Sequence, residues 1–474
     1  MNEREGDPDP GVRRGIARRT VLSLAGVALA AGLGACGRAE QTTTAASGEL
    51  RAIAHDAYVF GYPFVLMDVT RTASLAVAPA DRLWHATAPP TPERHDVVRM
   101  NLDTLYSSAW LDLSEEPVVV RMPAVEPGRF WLLQFMDAWS NTVHNPSGMR
   151  PQVQPGTTTP PYTYVITGPG WSGDLPAGLT PLPMPTPTVW LLGRIQVNGP
   201  DDVAAVRAIQ QEMRVATLSD WVAGRETAST AAPPPTDETP AERVARMDPR
   251  EFFDRLCARM STDPPAPVDA PAMARFARIG VEPGGRIEGL TEEDLRMVVR
   301  DATQTIGVYV DPQTRLENGW SFDPRTGVYG TEYLHRAAVA RKGLGANLPQ
   351  DAIYPTFFGD ADSDGVPNRF RLRFEAGALP PVDAFWSLTA YGADDRLVPN
   401  AAGIQSIGHE VPVVPAPDGS VELAIQHEDP GDAVPQGNWL PIPREGAFSL
   451  TLRMYAPHTE AIEGTWRLPP VTPI

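Results

Sequence analysis

The spacing of apolar residues along the chain changes character several times, and each change predicts a different class of element. From 50 to 68 apolar side chains recur at helical intervals (Ile53, Ala57, Phe60, Phe64), and Pro63 predicts a break near Gly61-Tyr62-Pro63. From 97 to 197 the pattern turns to short apolar or alternating runs: VVRMNLDTLYSSAWLDL, PVVVRMP, RFWLLQFMDAW, YTYVITG and TVWLLGRIQV. Turn residues such as Glu126-Pro127-Gly128 and Gly168-Pro169-Gly170 separate them, which predicts an all-β sandwich rather than α/β units.

Helical spacing returns over 201–221 (Val203, Val206, Ile209, Met213), followed by a Pro-rich loop over 223–242. Asp248-Pro249-Arg250-Glu251 and Thr291-Glu292-Glu293-Asp294 are helix starts, and Gly343 closes a helix holding Tyr333 to Arg341. From about 350 onward period-two alternation resumes in Arg369–Phe374, Val421–Ile425 and Ser449–Tyr455. The chain therefore reads as mainly β with a helical insert: a β domain over 50–200, a helical block over 201–345, and a second sandwich or jelly roll over 346–474.

Several of these runs also carry a resemblance. MNLDTLYSSAWLDLS, PVVVRMP, GRFWLLQFMDAWSN and TGPGW resemble the exported bacterial family catalogued as Domain of Unknown Function 1254. FWSLTAYG, NWLPIP and LRMYAP resemble its usual C-terminal partner, Domain of Unknown Function 1214. The resemblance implies an immunoglobulin-like N-terminal β domain, a small helical insert and a jelly-roll-like C-terminal domain, and it implies no established activity. Where that family tends to have an Asn followed shortly by Arg-Tyr, this chain has Asn400-Ala401-Ala402-Gly403-Ile404-Gln405.

Charge and composition narrow the partners. The formal charge is -18, and Lys342 is the sole lysine, so nucleic acid and anionic lipid surfaces are disfavoured and Schiff-base chemistry has almost no candidate. Pro, at 51 of 474 residues, favours turns, sheet edges and linkers. Residues 1–36 read as an export signal: Arg18-Arg19 resembles a twin-arginine motif, and Leu33-Gly34-Ala35-Cys36 resembles a lipobox that would leave Cys36 lipidated. Ordinary cleavage near Ala28-Leu29-Ala30 is the alternative. Residues 37–49 then form a flexible tether, and the membrane is met only through that lipid, on the outer face of the cytoplasmic membrane; without lipidation the protein is secreted. Cys257, the other cysteine, has helical neighbours Phe253, Leu256 and Met260 and reads as a core residue.

The candidate chemistry is sparse. G-x-S-x-G, H-E-x-x-H, the phosphate-binding G-x-x-x-x-G-K loop, Rossmann glycines and C-x-x-C are all absent, and Arg94-His95-Asp96 lacks the rest of a phosphatase motif. Asn101 and Asp103 share one strand face in an otherwise apolar stretch, and Asp137 sits among aromatics. Either Asn101 and Asp103 form an Asx turn and Asp137 caps backbone amides, or the three converge with Tyr106 and His144 as a polar site. Asp360, Asp362 and Asp364, in D-x-D-x-D-G, match the start of a Ca²⁺ loop, although Arg371 stands where an EF-hand needs its bidentate acid; the alternative is a solvated β-turn. Arg369, Arg371 and Arg373 form a stripe that would either clamp an anion or pair with nearby acids.

Two functions follow as expectations. In the first, the protein binds a small polar or anionic molecule in a Trp- and Tyr-rich cleft between the β domains, with Asn101, Tyr106, His144, Trp386, Arg453 and Tyr455 as contacts. In the second, it is a hydrolase assisted by Ca²⁺ or another divalent metal, with Asp103 and Asp137 as acid and base and Arg453 as anion clamp.

Overall fold

The computed structural model describes residues 34–93, 99–225, 227–232 and 238–474, with side chains from 47 onward. Residue contacts separate Met1–Gly48 from Glu49–Ile474, and the architecture below is that of the second unit. Arg18, Arg19, the Cys36 side chain and Arg94-His95-Asp96 lie outside these descriptions.

Alternation builds the first β domain. A five-stranded sheet runs in the order Trp84–His85, Thr104–Asp112, Thr188–Gln196, Trp131–Asp137, Thr142–His144, and a four-stranded sheet in the order Thr180–Pro183, Tyr162–Thr167, Val118–Met122, Arg214–Thr217. Leu105, Ala109 and Leu111 turn inward with Leu133, Phe135, Leu191 and Ile195 against Val118, Val120, Tyr164 and Ile166, giving one shared core. The intervening residues, Thr104, Tyr106, Gln134, Arg194 and Gln196 among them, therefore face away from that core. The sandwich extends past residue 200, because Arg214–Thr217 pairs antiparallel with Val118–Arg121.

The C-terminal β domain repeats the principle. Thr356–Asp360, Ala447–Tyr455 and Trp386–Gly392 lie side by side in a seven-stranded sheet, opposite a four-stranded sheet containing Arg369–Phe374 and Val421–Gln426. Leu388, Ala390, Leu450, Leu452 and Met454 pack inward on Leu372, Leu423 and Ile425. That leaves Ser387, Thr389, Tyr391, Ser449, Thr451, Arg453 and Tyr455 on the opposite face, all of them buried.

The helical block gathers around the Gly34–Leu75 helix. Nearly every side chain from Ile53 to Val69 is buried, so this is a central helix that is apolar all round rather than a surface helix. The predicted break at Gly61-Tyr62-Pro63 does not occur: the helix runs through Pro63. Packing outweighs the lost hydrogen bond here, and Gly61 allows the Leu256 side chain to approach to where a Cβ would lie 2.5 Å from it. Residues 37–49, expected as a flexible tether, are helical. Helices Pro249–Met260, Glu292–Val308 and Tyr333–Gly343 complete the block. The first is capped by Asp248, which accepts from Arg250 and Glu251, and the second by a Thr291–Asp294 capping box. Cys257 is fully buried, its thiol pushed up to about 11 by burial, as befits a core residue. No helix among the described residues is long and apolar enough to cross a membrane.

Candidate functional site

The outward faces of the two β domains meet in a buried polar seam. On the N-terminal side the chain enters its long strand through Asn101 and Asp103. Asn101 Oδ1 accepts from the Asp103 amide at 2.8 Å, an Asx turn, and the same oxygen accepts from the Tyr455 hydroxyl at 3.2 Å. Asn101 Nδ2 donates to Thr104 Oγ1 at 2.7 Å and to Tyr106 Oη at 3.2 Å. Asn101 thus forms the Asx turn, and the same side chain bonds Tyr106 and Tyr455.

Asp103 is 1% exposed; its Oδ2 accepts from Ser387 Oγ at 2.7 Å, and its Oδ1 is buried without a hydrogen-bond partner. Arg453 donates to Thr389 Oγ1 (2.9 Å), Tyr391 Oη (2.5 Å) and the Arg99 and Met100 carbonyls (3.1 and 3.3 Å). Burial works against the Arg453 charge, but Tyr391, Tyr455 and Asp103 outweigh it and hold its pKa above the usual value. His409 stacks on Phe385 at 4.0 Å, with Nε2 3.0 Å from the Val197 carbonyl, and burial pulls its pKa down.

A second lobe lies along the same face. Arg194 is 7% exposed, donates to Tyr106 Oη and at 3.3 Å to the Gly345 carbonyl, and keeps a buried Nε with no partner. Gln134 donates to Thr142 Oγ1 and the Ala346 carbonyl, both at 2.8 Å, and at 3.4 Å to Gly345, while its Oε1 is buried and unpartnered. Tyr354 donates to Asn347 Oδ1 at 2.7 Å, and Asn347 Nδ2 has no partner. Asp351 is held by Arg150 and by Asn145 Nδ2 at 2.5 Å, and burial pushes its carboxyl up to about 6. Among the described residues no carboxylate is hydrogen-bonded to Arg194. Burial works against this guanidinium, but the Tyr106, Tyr354 and Tyr455 hydroxyls outweigh it and hold its pKa above the usual value, and it lies 4.8 Å from the centroid of the Tyr106 ring, so its partners are all neutral groups.

Of the residues singled out in the sequence, Asn101, Asp103, Tyr106, Arg453 and Tyr455 come together in this seam. Asp137 does not: it pairs with Val189 while Thr104 pairs with Gln196, seven positions along the shared strand, so at about 3.3 Å per residue Asp137 and Asp103 lie roughly 23 Å apart. Asp137 instead accepts from the Trp139 and Asn141 amides at 2.9 and 2.8 Å, closing a loop. His144, opposite Phe135, bonds the Pro183 carbonyl at 2.8 Å away from the seam. Trp386 sits on the inward face and packs on Phe374 at 5.6 Å, so it lines no cleft.

The aspartate loop is a hairpin turn. Asp362 spends both carboxylate oxygens on backbone amides, Gly446 at 2.8 Å and Gly365 at 2.9 Å. Asp364 and Gly365 take positive φ, 53° and 81°, as a tight hairpin requires. The Asp360 backbone carbonyl accepts from Asn368 at 2.9 Å, and among the described residues the three acids do not bring their carboxylates together as a ligand cluster. Arg369, Arg371 and Arg373 face Glu428, Glu422, Asp418 and Glu375 at 3.1–3.8 Å, a surface ladder of ion pairs.

Among the described residues, Asp311, Glu332 and His335 bring ligand-type atoms within 4.8 Å of one another. A guanidinium already occupies the cluster, since Arg325 pairs with both Asp311 and Glu332 (2.8 Å to the latter), and Asp323 holds His335 Nε2 at 2.7 Å. Burial opposes the imidazolium, but Asp323, Asp311 and Glu332 outweigh it and raise the His335 pKa above its usual value. That contribution is complete below the unfolded pKa of about 6.5 and is lost as pH rises through the higher folded one. Urea midpoints at about pH 6 and about pH 8 are expected to differ less in His335→Gln than in wild type. Equal differences in the two proteins would contradict this.

The residues the sequence reading missed are Arg194, Gln134, Tyr354, Asn347, Ser387, Tyr391 and Thr389. Arg194 had a signal: in TVWLLGRIQV both strand faces are apolar, so the lone arginine had to be buried.

Fold and seam together define a two-domain β protein with a helical block, whose β domains are joined through a buried polar interface. Residues 80–217 match the family described as Protein of unknown function (DUF1254), and residues 351–459 match Protein of unknown function (DUF1214). The chain thus carries both domains, in that order. No curated protein matches it. Among solved structures it is similar to the VPA0106 protein from Vibrio parahaemolyticus, at 22% identity and a TM-score of 0.64, over 90% of this chain and 100% of that one. A putative uncharacterized protein from Burkholderia cenocepacia aligns at 12% identity and a TM-score of 0.42, over 92% and 96% of the two chains.

Proposed function

We propose that the chain binds a small anionic ligand in the seam between its β domains, with Arg194 as the charged contact and Tyr106 and Asn347 beside it. The observation that carries this reading is a buried arginine whose Nε has no partner and whose other bonds go to neutral groups. An anion would supply the missing acceptor and compensate the charge in one step. The Gly345 carbonyl, at 3.3 and 3.4 Å from Arg194 and Gln134, is a weak acceptor that such an anion would displace. The acid–base pair of a hydrolase draws no support from Asp103 and Asp137, which lie far apart.

The test is thermal stabilisation of the full chain by millimolar carboxylates and by inorganic phosphate, in wild type and in Arg194→Gln. Stabilisation grows as RT ln(1 + [L]/Kd), so even millimolar binders register. Wild type is expected to shift and Arg194→Gln to lose at least about tenfold in affinity, the scale of one charge-assisted bond. A shift of equal size in both proteins, or no shift with any anion, sinks the reading.

The export signal supports a second part of the proposal: the protein acts outside the cytoplasm, held to the membrane by lipid on Cys36. Growth with a labelled fatty acid is expected to label wild type and not Cys36→Ser; equal labelling would rule the anchor out.

A further inference from the structure

Resting on the reading of Arg194 as an anion contact, the unspent polar atoms around it specify the anion more closely. Arg194 Nε and Asn347 Nδ2 are buried donors without acceptors, and Gln134 Oε1 is a buried acceptor without a donor. The three residues are 7%, 2% and 1% exposed, so bulk solvent does not reach them. Tyr106 Oη accepts from both Asn101 and Arg194, which leaves its own proton to give.

Charge sets the first limit. Asp351, whose charge Arg194 feels, is hydrogen-bonded to Arg150 and Asn145 rather than to Arg194, so Arg194 brings one positive charge whose own hydrogen bonds go to neutral groups and suits a monoanion. Donor count sets the second: two N–H groups and a phenol match the two oxygens of a carboxylate. Gln134 Oε1 sets the third, because it can be satisfied only by a group that donates, and a carboxylate has none. Arg194 and Gln134 both reach the same Gly345 oxygen, so the groups they would hold lie within a bond or two of each other.

We infer that the ligand is a small hydroxycarboxylate, its carboxylate on Arg194 and Asn347 and a neighbouring hydroxyl donating to Gln134 Oε1. It takes the place of the Gly345 carbonyl, and Gly345, at φ +84°, stands in the left-handed region where glycine moves most freely.

Titration calorimetry of the full chain with propionate, lactate, 3-hydroxypropionate and inorganic phosphate decides it. At least one hydroxy acid is expected to bind about tenfold tighter than propionate, the discrimination expected of a site that rejects the analogue lacking a hydrogen-bonding group. In Gln134→Met the gap is expected to close with propionate unchanged; should that variant fail to fold, the wild-type ligand series stands by itself. Equal affinities for propionate and the hydroxy acids, all lost in Arg194→Gln, would overturn the hydroxyl assignment and leave the anion site intact. Phosphate binding tighter than every carboxylate would overturn the carboxylate class. No binding of any of the four would overturn both readings.

Discussion

Arg453→Met is expected to destabilise the folded protein by about 3–5 kcal/mol, the usual cost of removing one member of a buried charged network. Arg453 is 4% exposed, and its guanidinium serves two hydroxyls and two backbone carbonyls at once. The substitution keeps the length of the side chain but strands the Arg99 carbonyl, leaves the Met100 carbonyl to the Tyr391 hydroxyl alone at 2.7 Å, and removes a positive charge that acts on Asp103. Because those carbonyls belong to the segment entering the N-terminal sandwich while Arg453 stands on a C-terminal strand, the loss falls on the joint between the two domains. Denaturant unfolding measures it. Arg453→Lys should recover only part of the loss, since an ammonium cannot reproduce the fork. A change below about 1 kcal/mol in Arg453→Met would show that the network is dispensable.

Trp139→Ala is expected to cost a similar amount, about 3–5 kcal/mol, by opening a cavity where the β domain meets the helical block. Its ring stacks on Phe64 at 4.1 Å and 11°, lies 4.9 Å from Phe60, and sits under Arg336 at 5.4 Å. The indole N–H donates to the Asp263 and Pro264 carbonyls at 3.3 and 3.2 Å. Trp139→Phe keeps the stack and loses that donor, for a smaller loss of about 1 kcal/mol. Equilibrium unfolding of the two variants separates packing from hydrogen bonding, and equal losses would refute the division.

Much of this site could be read in the sequence, and the reasons for the remainder are specific. Asn101, Asp103 and Tyr106 stood out because polar groups in apolar strands must be buried with partners, and Arg453 and Tyr455 because LRMYAP resembles the family run; the fold brings all five into the seam. Asp137 and His144 were grouped with them because strand periodicity gives the face of a residue and not its height along a neighbouring strand. Trp386 was misplaced by one position of parity: Ser387, Thr389 and Tyr391 face the seam while Trp386 turns inward. The D-x-D-x-D-G match failed because a hairpin turn and a calcium loop both need short polar residues and a positive-φ glycine.

The sequence by itself determined the succession of β, helical and β regions, the two-residue alternation of faces along the strands, the helix caps at Asp248 and Thr291, and an acidic composition with a single lysine. These are local properties, fixed by side-chain periodicity and backbone chemistry within a few residues. Tertiary structure decided which outward faces cover each other. It carried the central helix on through Pro63, because packing on all sides outweighs one missing hydrogen bond. It also set Arg194 beside Gly345, 151 residues away, and Arg453 beside Met100, 353 residues away. Period-two alternation shows that a residue leaves its own core, but what it meets there depends on how whole sheets dock, and no spacing along one strand records that.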